Sequence, residues 1–222
     1  MAASSRPAFR ILAAGAVLAC ALAGAAACTS SSGPPAPDTS TGRQQGLTTE
    51  QAQAALLSVA EIGNKLTVSD LNPPDSPLPC TPNAKPLSKL VPPVAHATQT
   101  WSNDTESIEI TETIDNYGDD ATVERALALT ETGMSCTSGE IGAVSVTIGK
   151  PQDLSKNIKA AVDKIEAWAL SSATSRETVI VAKIDTQLVT MVFGVLPNVP
   201  RNAIDAATIV QDAMAKVTEA TQ

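Results

Sequence analysis

Aromatic side chains are nearly missing from this sequence: its 222 residues include two Trp, one Tyr and two Phe. A sugar site usually stacks its ligand on such rings, so carbohydrate recognition has few residues to use. The core must instead come from Ala, Val, Ile and Leu. Histidine is equally scarce, with His96 alone. Lys and Arg number 15 against 23 Asp and Glu, with no basic run. That balance argues against nucleic acid or anionic headgroups as partners. The four cysteines lack the close spacing of a zinc site, no G-x-S-x-G elbow occurs, and no internal repeat is visible.

What is present begins at the N-terminus. Arg6 and Arg10 precede Ile11 to Ala27, 17 residues without a charge and rich in Ala, Leu and Val. A spanning helix needs about 20 predominantly apolar residues. The small residues Ala25, Ala26 and Ala27 before Cys28 fit a cleavage site better. The segment resembles a bacterial lipobox, although Ala25 stands where Leu is usual. The resemblance implies diacylation of the Cys28 thiol and cleavage before it. Cys20 competes for that role, but bulky Leu18 lies near its cut and its apolar stretch is short. The alternative is an ordinary secretory signal cut near Ala27, leaving Cys28 as a free thiol, a liability in an oxidising compartment.

With Cys20 removed and Cys28 acylated, Cys80 and Cys136 remain, and two thiols outside the cytoplasm are expected to pair. The domain plan is then a lipoprotein signal peptide over 1–27, a Ser/Thr/Pro-rich spacer over 28–46, and one folded domain over 47–222. Losing Arg6 and Arg10 leaves 13 basic and 23 acidic residues, a formal charge of −10. The expected location is the extracytoplasmic face of the cell membrane, held by the lipid anchor.

Leu47 to Ile62 is predicted as a helix, with Thr48 or Thr49 as N-cap and Gly63-Asn64 as its stop. Leu71 to Pro93 holds eight prolines, so it is neither helix nor central strand, and Cys80 would pin it to the surface. Ser107 to Ile114 alternates as a strand with one wet face, Glu112 being the exception on the isoleucine side. Asp119 or Asp120 caps a helix to about Thr132, with Val123, Ala126, Leu127 and Thr130 inward. Gly142 to Ile148 reads as a strand, and Leu154 onward as a short helix giving way to a strand near Glu166. Glu177 to Ile184 and Gln187 to Phe193 are the clearest strands, joined by Asp185-Thr186, where a looser hairpin than Asn-Gly would give is possible. Asn202 caps the last helix, whose stripe is Ile204, Ala207, Val210, Met214 and Val217. Together these predict an α+β domain: an antiparallel sheet of about five strands, helices on one face, and one disulfide.

The helix around ALLSVAEIG, the paired cysteines, EAWALSS, the hairpin VIVAKIDTQLVTMVF and the Ala-rich last helix resemble the extracellular sensor domain of mycobacterial PknH-type kinases. Free-standing mycobacterial lipoproteins carry a similar domain. The resemblance covers about residues 47 to 222. It implies an antiparallel sheet, helices packed on it, and an open ligand-binding cleft. Such domains usually have a second disulfide, which this chain cannot form, so no cleft residue is carried over.

Catalysis finds little support. His96 has no nucleophile motif around it. Asp115, Asn116, Asp119 and Asp120 cluster at Tyr117-Gly118, but the calcium-loop spacing is not met and turn and capping chemistry explains them. Glu106 and Glu112 fall on an apolar face, where strand ends reaching solvent are the plainer reading than buried carboxyls. Trp101 and Trp168 read as core before pocket. The expected function is a non-catalytic binding or sensor module without cofactor or metal. Its partners are the membrane through the anchor and a small ligand or another envelope protein. The alternative is a lipid or glycolipid carrier with an aliphatic cavity.

Overall fold

The computed structural model describes residues 46–63, 65–70, 75–105, 107–200 and 203–222. Cys20, Cys28, the leader, the spacer before Gly46, Glu106 and Asn202 lie outside the described residues. No helix among the described residues is long and apolar enough to cross a membrane.

Thr48 starts the first helix with a reciprocal cap: its hydroxyl accepts from the Gln51 N–H, and Gln51 Oε1 accepts from the Thr48 N–H at 2.8 Å. The single helix expected over 47–62 is broken into α1 (Thr49–Ala55) and α2 (Val59–Ile62). Leu56 and Leu57 are both buried, and the break satisfies the backbone there by tertiary bonds. The Leu57 N–H donates to Glu112 Oε2 at 2.8 Å, and Lys216 Nζ donates to the Leu56 carbonyl at 2.7 Å. Helix propensity yields to those partners.

Nine strands, not about five, form one antiparallel sheet. They are β1 (Thr67–Ser69), β2 (Ala95–Ser102), β3 (Ile108–Asn116), β4 (Ser138–Ile141), β5 (Val144–Ile148), β6 (Gln152–Asp153), β7 (Lys164–Ser171), β8 (Arg176–Ile184) and β9 (Gln187–Val195). The order is β1-β2-β3-β9-β8-β7-β5-β4, with β6 also paired to β7. The additional strands have weak local signals. β1, β4 and β6 are two to four residues long, and β2 (AHATQTWS) is built largely from Ala and Thr. β2 exists because β3 presents eight register partners to it, from Ile108's neighbour Glu109 to Asn116.

The remaining helices are α3 (Leu87–Leu90), α4 (Asp120–Gly133) and α5 (Ala206–Ala220), and they occupy both faces of the sheet. On one face Ile110, Ile180, Ala182, Val189 and Met191 pack with α1, α2 and α5. On the other, Val181, Leu188, Trp168 and Leu170 pack with Val123, Ala126 and Leu127 of α4. Helices on one face alone would leave Val181 and Leu188 bare, since neighbours on a strand point oppositely. Apolar runs such as VIVA in β8 are what a sheet covered on both sides requires.

Asp119 caps α4 by accepting from the Thr122 N–H at 2.9 Å, and the four inward residues expected there are all buried. Asp205, not Asn202, caps α5. Its buried stripe is Ile209, Val210, Ala213, Met214 and Val217, while Ala207 is exposed. The short helix expected from Leu154 is absent. Asp153 Oδ1 accepts from the Ser155 N–H and starts a turn, and the Lys159 N–H donates to Gln211 Oε1 on α5. Leu154, Ile158 and Val162 reach the core from this irregular segment. Ile184 and Gln187 pair across a two-residue turn in which Asp185 adopts φ 52°. Asp tolerates that left-handed conformation better than most residues, so the hairpin is tight without Asn-Gly.

Cys80 and Cys136 are bonded, with Cα atoms 5.6 Å apart. The Cys80 N–H donates to the Gly133 carbonyl, and the Glu140 N–H to the Pro79 carbonyl. A Cβ on Gly133 would meet the Leu78 side chain, and one on Gly139 the Pro79 carbonyl. The proline segment thus docks against the end of α4 and the start of β4 through contacts that need glycine.

Candidate functional site

β7, β8 and β9 are long strands, whereas α5 starts only at Ala206 and first buries a residue at Ile209. Two rows of side chains near the Ser172–Ser175 turn therefore extend past the helix. Phe193, Thr178 and Ala169 make one row across the three strands, and Val195, Arg176 and Ser171 make the next. With Ile204 and Ala206 they line a half-open cavity of about 420 Å³. That volume lies within the range of roughly 300–1,000 Å³ usual for small-molecule sites.

The charge in this cavity is Arg176. Its Nη2 donates to the Val199 carbonyl at 2.5 Å, while its buried Nε has no hydrogen-bonding partner among the described residues. No carboxylate forms an ion pair with it among the described residues. Lys164, Lys183 and Lys216 each have an acidic partner, Lys183 being held by Asp120, Glu124 and Asp163. Glu177, next to Arg176 on β8, turns its side chain to the opposite face, where its Oε1 accepts from Ser175 Oγ at 3.2 Å. The arrangement offers a permanent cation above an apolar floor, which is suited to binding.

His96 lies in β2 opposite Asp115 of β3, and their side chains meet at 2.7 Å between Nδ1 and Oδ1. That bond, reinforced by the charge of Asp75, raises the imidazole pKa against a smaller effect of burial. A base oriented by a carboxylate is two-thirds of a triad. The threonine hydroxyls next along that face are engaged with each other: Thr98 Oγ1 meets Thr113 Oγ1 at 3.0 Å and donates to the Glu112 carbonyl at 3.1 Å. No hydroxyl or thiol is hydrogen-bonded to His96 Nε2 among the described residues.

No protein-family model and no curated protein sequence matches the chain. A solved structure does. The extracellular domain of PknH from Mycobacterium tuberculosis superposes with a TM-score of 0.58 at 10% identity, over 79% of this chain and 97% of that one. The chain shares the fold of that extracellular domain. At this identity the likeness speaks for backbone architecture, and the site rests on the residues of this chain.

Those residues differ in part from the ones the sequence brings forward. Cys80 and Cys136 are bridged as expected, and Trp101 and Trp168 are core. Asp115, Asn116, Asp119 and Asp120 do not converge. Asp115 holds His96, Asp119 caps α4, and Asp120 pairs with Lys183. Buried Asn116 donates to the Leu47 carbonyl and accepts from the Gly118 N–H and Thr186 Oγ1. Glu112 is not near a strand end in solvent but fully buried in the middle of β3. Burial pushes its pKa up to about 7, opposed by the Leu57 N–H and Lys216. Arg176 and its cavity went unseen because a single cation before an apolar strand reads as a solvated strand end. The missing acidic partner is visible only in three dimensions.

Proposed function

We propose that the chain is a lipid-anchored, extracytoplasmic binding module of the sensor type, without catalytic activity, whose ligand enters the cavity at Arg176. The observation that carries the reading is an arginine with a buried Nε that has no partner, in a cavity with no compensating acid, among the described residues. A buried donor left unmade costs about 1–3 kcal/mol, a cost that a ligand removes on binding. The shared fold with a kinase's extracellular domain, the disulfide, and the Cys28 lipobox support display outside the cytoplasm. For catalysis, the chain offers a His–Asp pair without a nucleophile aligned on it.

Native mass spectrometry of the full-length Cys28→Ala chain, purified without detergent, tests the binding role. A small ligand that co-purifies, and is lost when the cavity is filled by Ala169→Trp, supports it. A co-purifying diacyl lipid favours the carrier, and turnover abolished by His96→Ala would make the chain an enzyme. The same variant tests the anchor: wild type should fractionate with membranes, and a Cys28→Ala chain that stays processed and membrane-bound defeats the lipobox.

A further inference from the structure

We infer that the cavity binds a small monocarboxylate carrying an apolar chain, with Arg176 on the carboxylate and Phe193, Val195 and Ile204 around the first carbons. The inference rests on the binding reading above and specifies its ligand. A guanidinium is a donor without acceptor capacity, so the group it waits for is an anion or a neutral acceptor. A guanidinium half-buried among apolar side chains favours an anion, because a charge-assisted bond recovers most where water is excluded. Carboxylate is the anion whose two oxygens match the planar donors of arginine.

The number of charges limits the ligand further. Arg176 is the single basic residue lining the cavity among the described residues. A nucleotide or polyphosphate would bring several negative charges to one cation, which can compensate only one of them. The remainder of the lining excludes a polar body. Phe193, Val195, Ile204, Ala169 and Ala206 are apolar, and Thr178 and Ser171 supply the only hydroxyls among the described residues. Each methylene buried against such a surface contributes about 0.8 kcal/mol, so chain length should matter as much as the head. Free carboxylates and the phosphate of a single-chain lipid share this amphiphilic form, and the probes below separate them.

Isothermal titration of the full-length Cys28→Ala chain with octanoate, acetate, 1-octanol, octylammonium and octyl phosphate tests the inference. Octanoate should bind at least tenfold more tightly than acetate, octylammonium or octyl phosphate. Arg176→Gln should weaken octanoate at least tenfold and leave 1-octanol unchanged. Ala169→Trp, a substitution at an exposed strand position that leaves Arg176 in place, should weaken octanoate by a similar factor. If Arg176→Gln lowers the melting temperature, the Ala169→Trp variant alone decides. Octanoate binding indifferent to both variants, or stronger binding of octyl phosphate, overturns the inference. If octanoate fails while another ligand co-purifies in native mass spectrometry and is lost with Ala169→Trp, the carboxylate is wrong and the binding module stands.

Discussion

Glu112 Oε2 accepts the Leu57 N–H at 2.8 Å, joining the centre of β3 to the break between α1 and α2 across 55 residues of sequence. This bond explains both why a helix stops where periodicity would continue it and why a carboxyl sits in an aliphatic core. Its other oxygen, Oε1, has no partner among the described residues.

Glu112 should make stability depend on pH. Its folded-state pKa of about 7 lies above the ordinary 4.5, so the folded chain holds this proton where the unfolded chain has released it. The resulting stabilisation is complete below about pH 4.5 and is lost as pH rises through 7, on the order of 3 kcal/mol in all. Glu112→Gln keeps an oxygen for Leu57 and cannot ionise. Its melting temperature should fall less than that of wild type between about pH 5 and 8. Parallel melting profiles would show that Glu112 does not titrate in this window.

The imidazole of His96 should titrate above its ordinary 6.5 in an NMR pH series, and Asp115→Asn should return it toward that value. The sign matches that of Glu112: the contribution is complete below 6.5 and fades as pH rises through the raised pKa. With the His96 side chain 53% exposed, the pair is worth little, and His96→Ala should move the melting temperature by less than about 2 °C. A larger drop would give the pair a structural role that its exposure does not predict.

Cys80→Ser should cost about 4 kcal/mol in the chain-entropy account of a bridge spanning 56 residues, a fall of roughly 10 °C in melting temperature. Differential scanning calorimetry of the non-reduced proteins measures it. No change would mean that the glycine contacts at Gly133 and Gly139 hold the proline segment without the bond.

Gly46→Val should destabilise by about 1–3 kcal/mol. A Cβ there would meet Thr186 Oγ1, Asn116 Oδ1 and Gln187 Nε2, and all three residues are buried. Urea unfolding gives the difference, and an unchanged midpoint would place the chain entry elsewhere.

Much of the frame is legible in the sequence where pattern and partner coincide. The β8–β9 hairpin shows itself because VIVA is an unbroken apolar run and LVTMV is apolar but for Thr190, and α4 because Asp119 and its inward stripe agree. β2 is hidden because its apolar content is Ala95, Ala97 and Trp101, and its extended state comes from pairing with β3 and, at its end, β1. The segment from Leu154 carries helical spacing yet forms turns, since Asp153 and Gln211 supply the backbone with other partners. Glu112 and Arg176 are charged residues that look ordinary in one dimension. What distinguishes each is a missing partner, which is a property of the packed molecule.

The strands that carry the cavity at Arg176 end, at their other extremity, in the Asp185-Thr186 turn against which Gly46 is seated. Nine residues of extended chain separate the two ends of β8, roughly 30 Å at the usual rise. The described chain thus begins at one pole of the sheet, at Gly46, and the cavity at Arg176 opens at the opposite one.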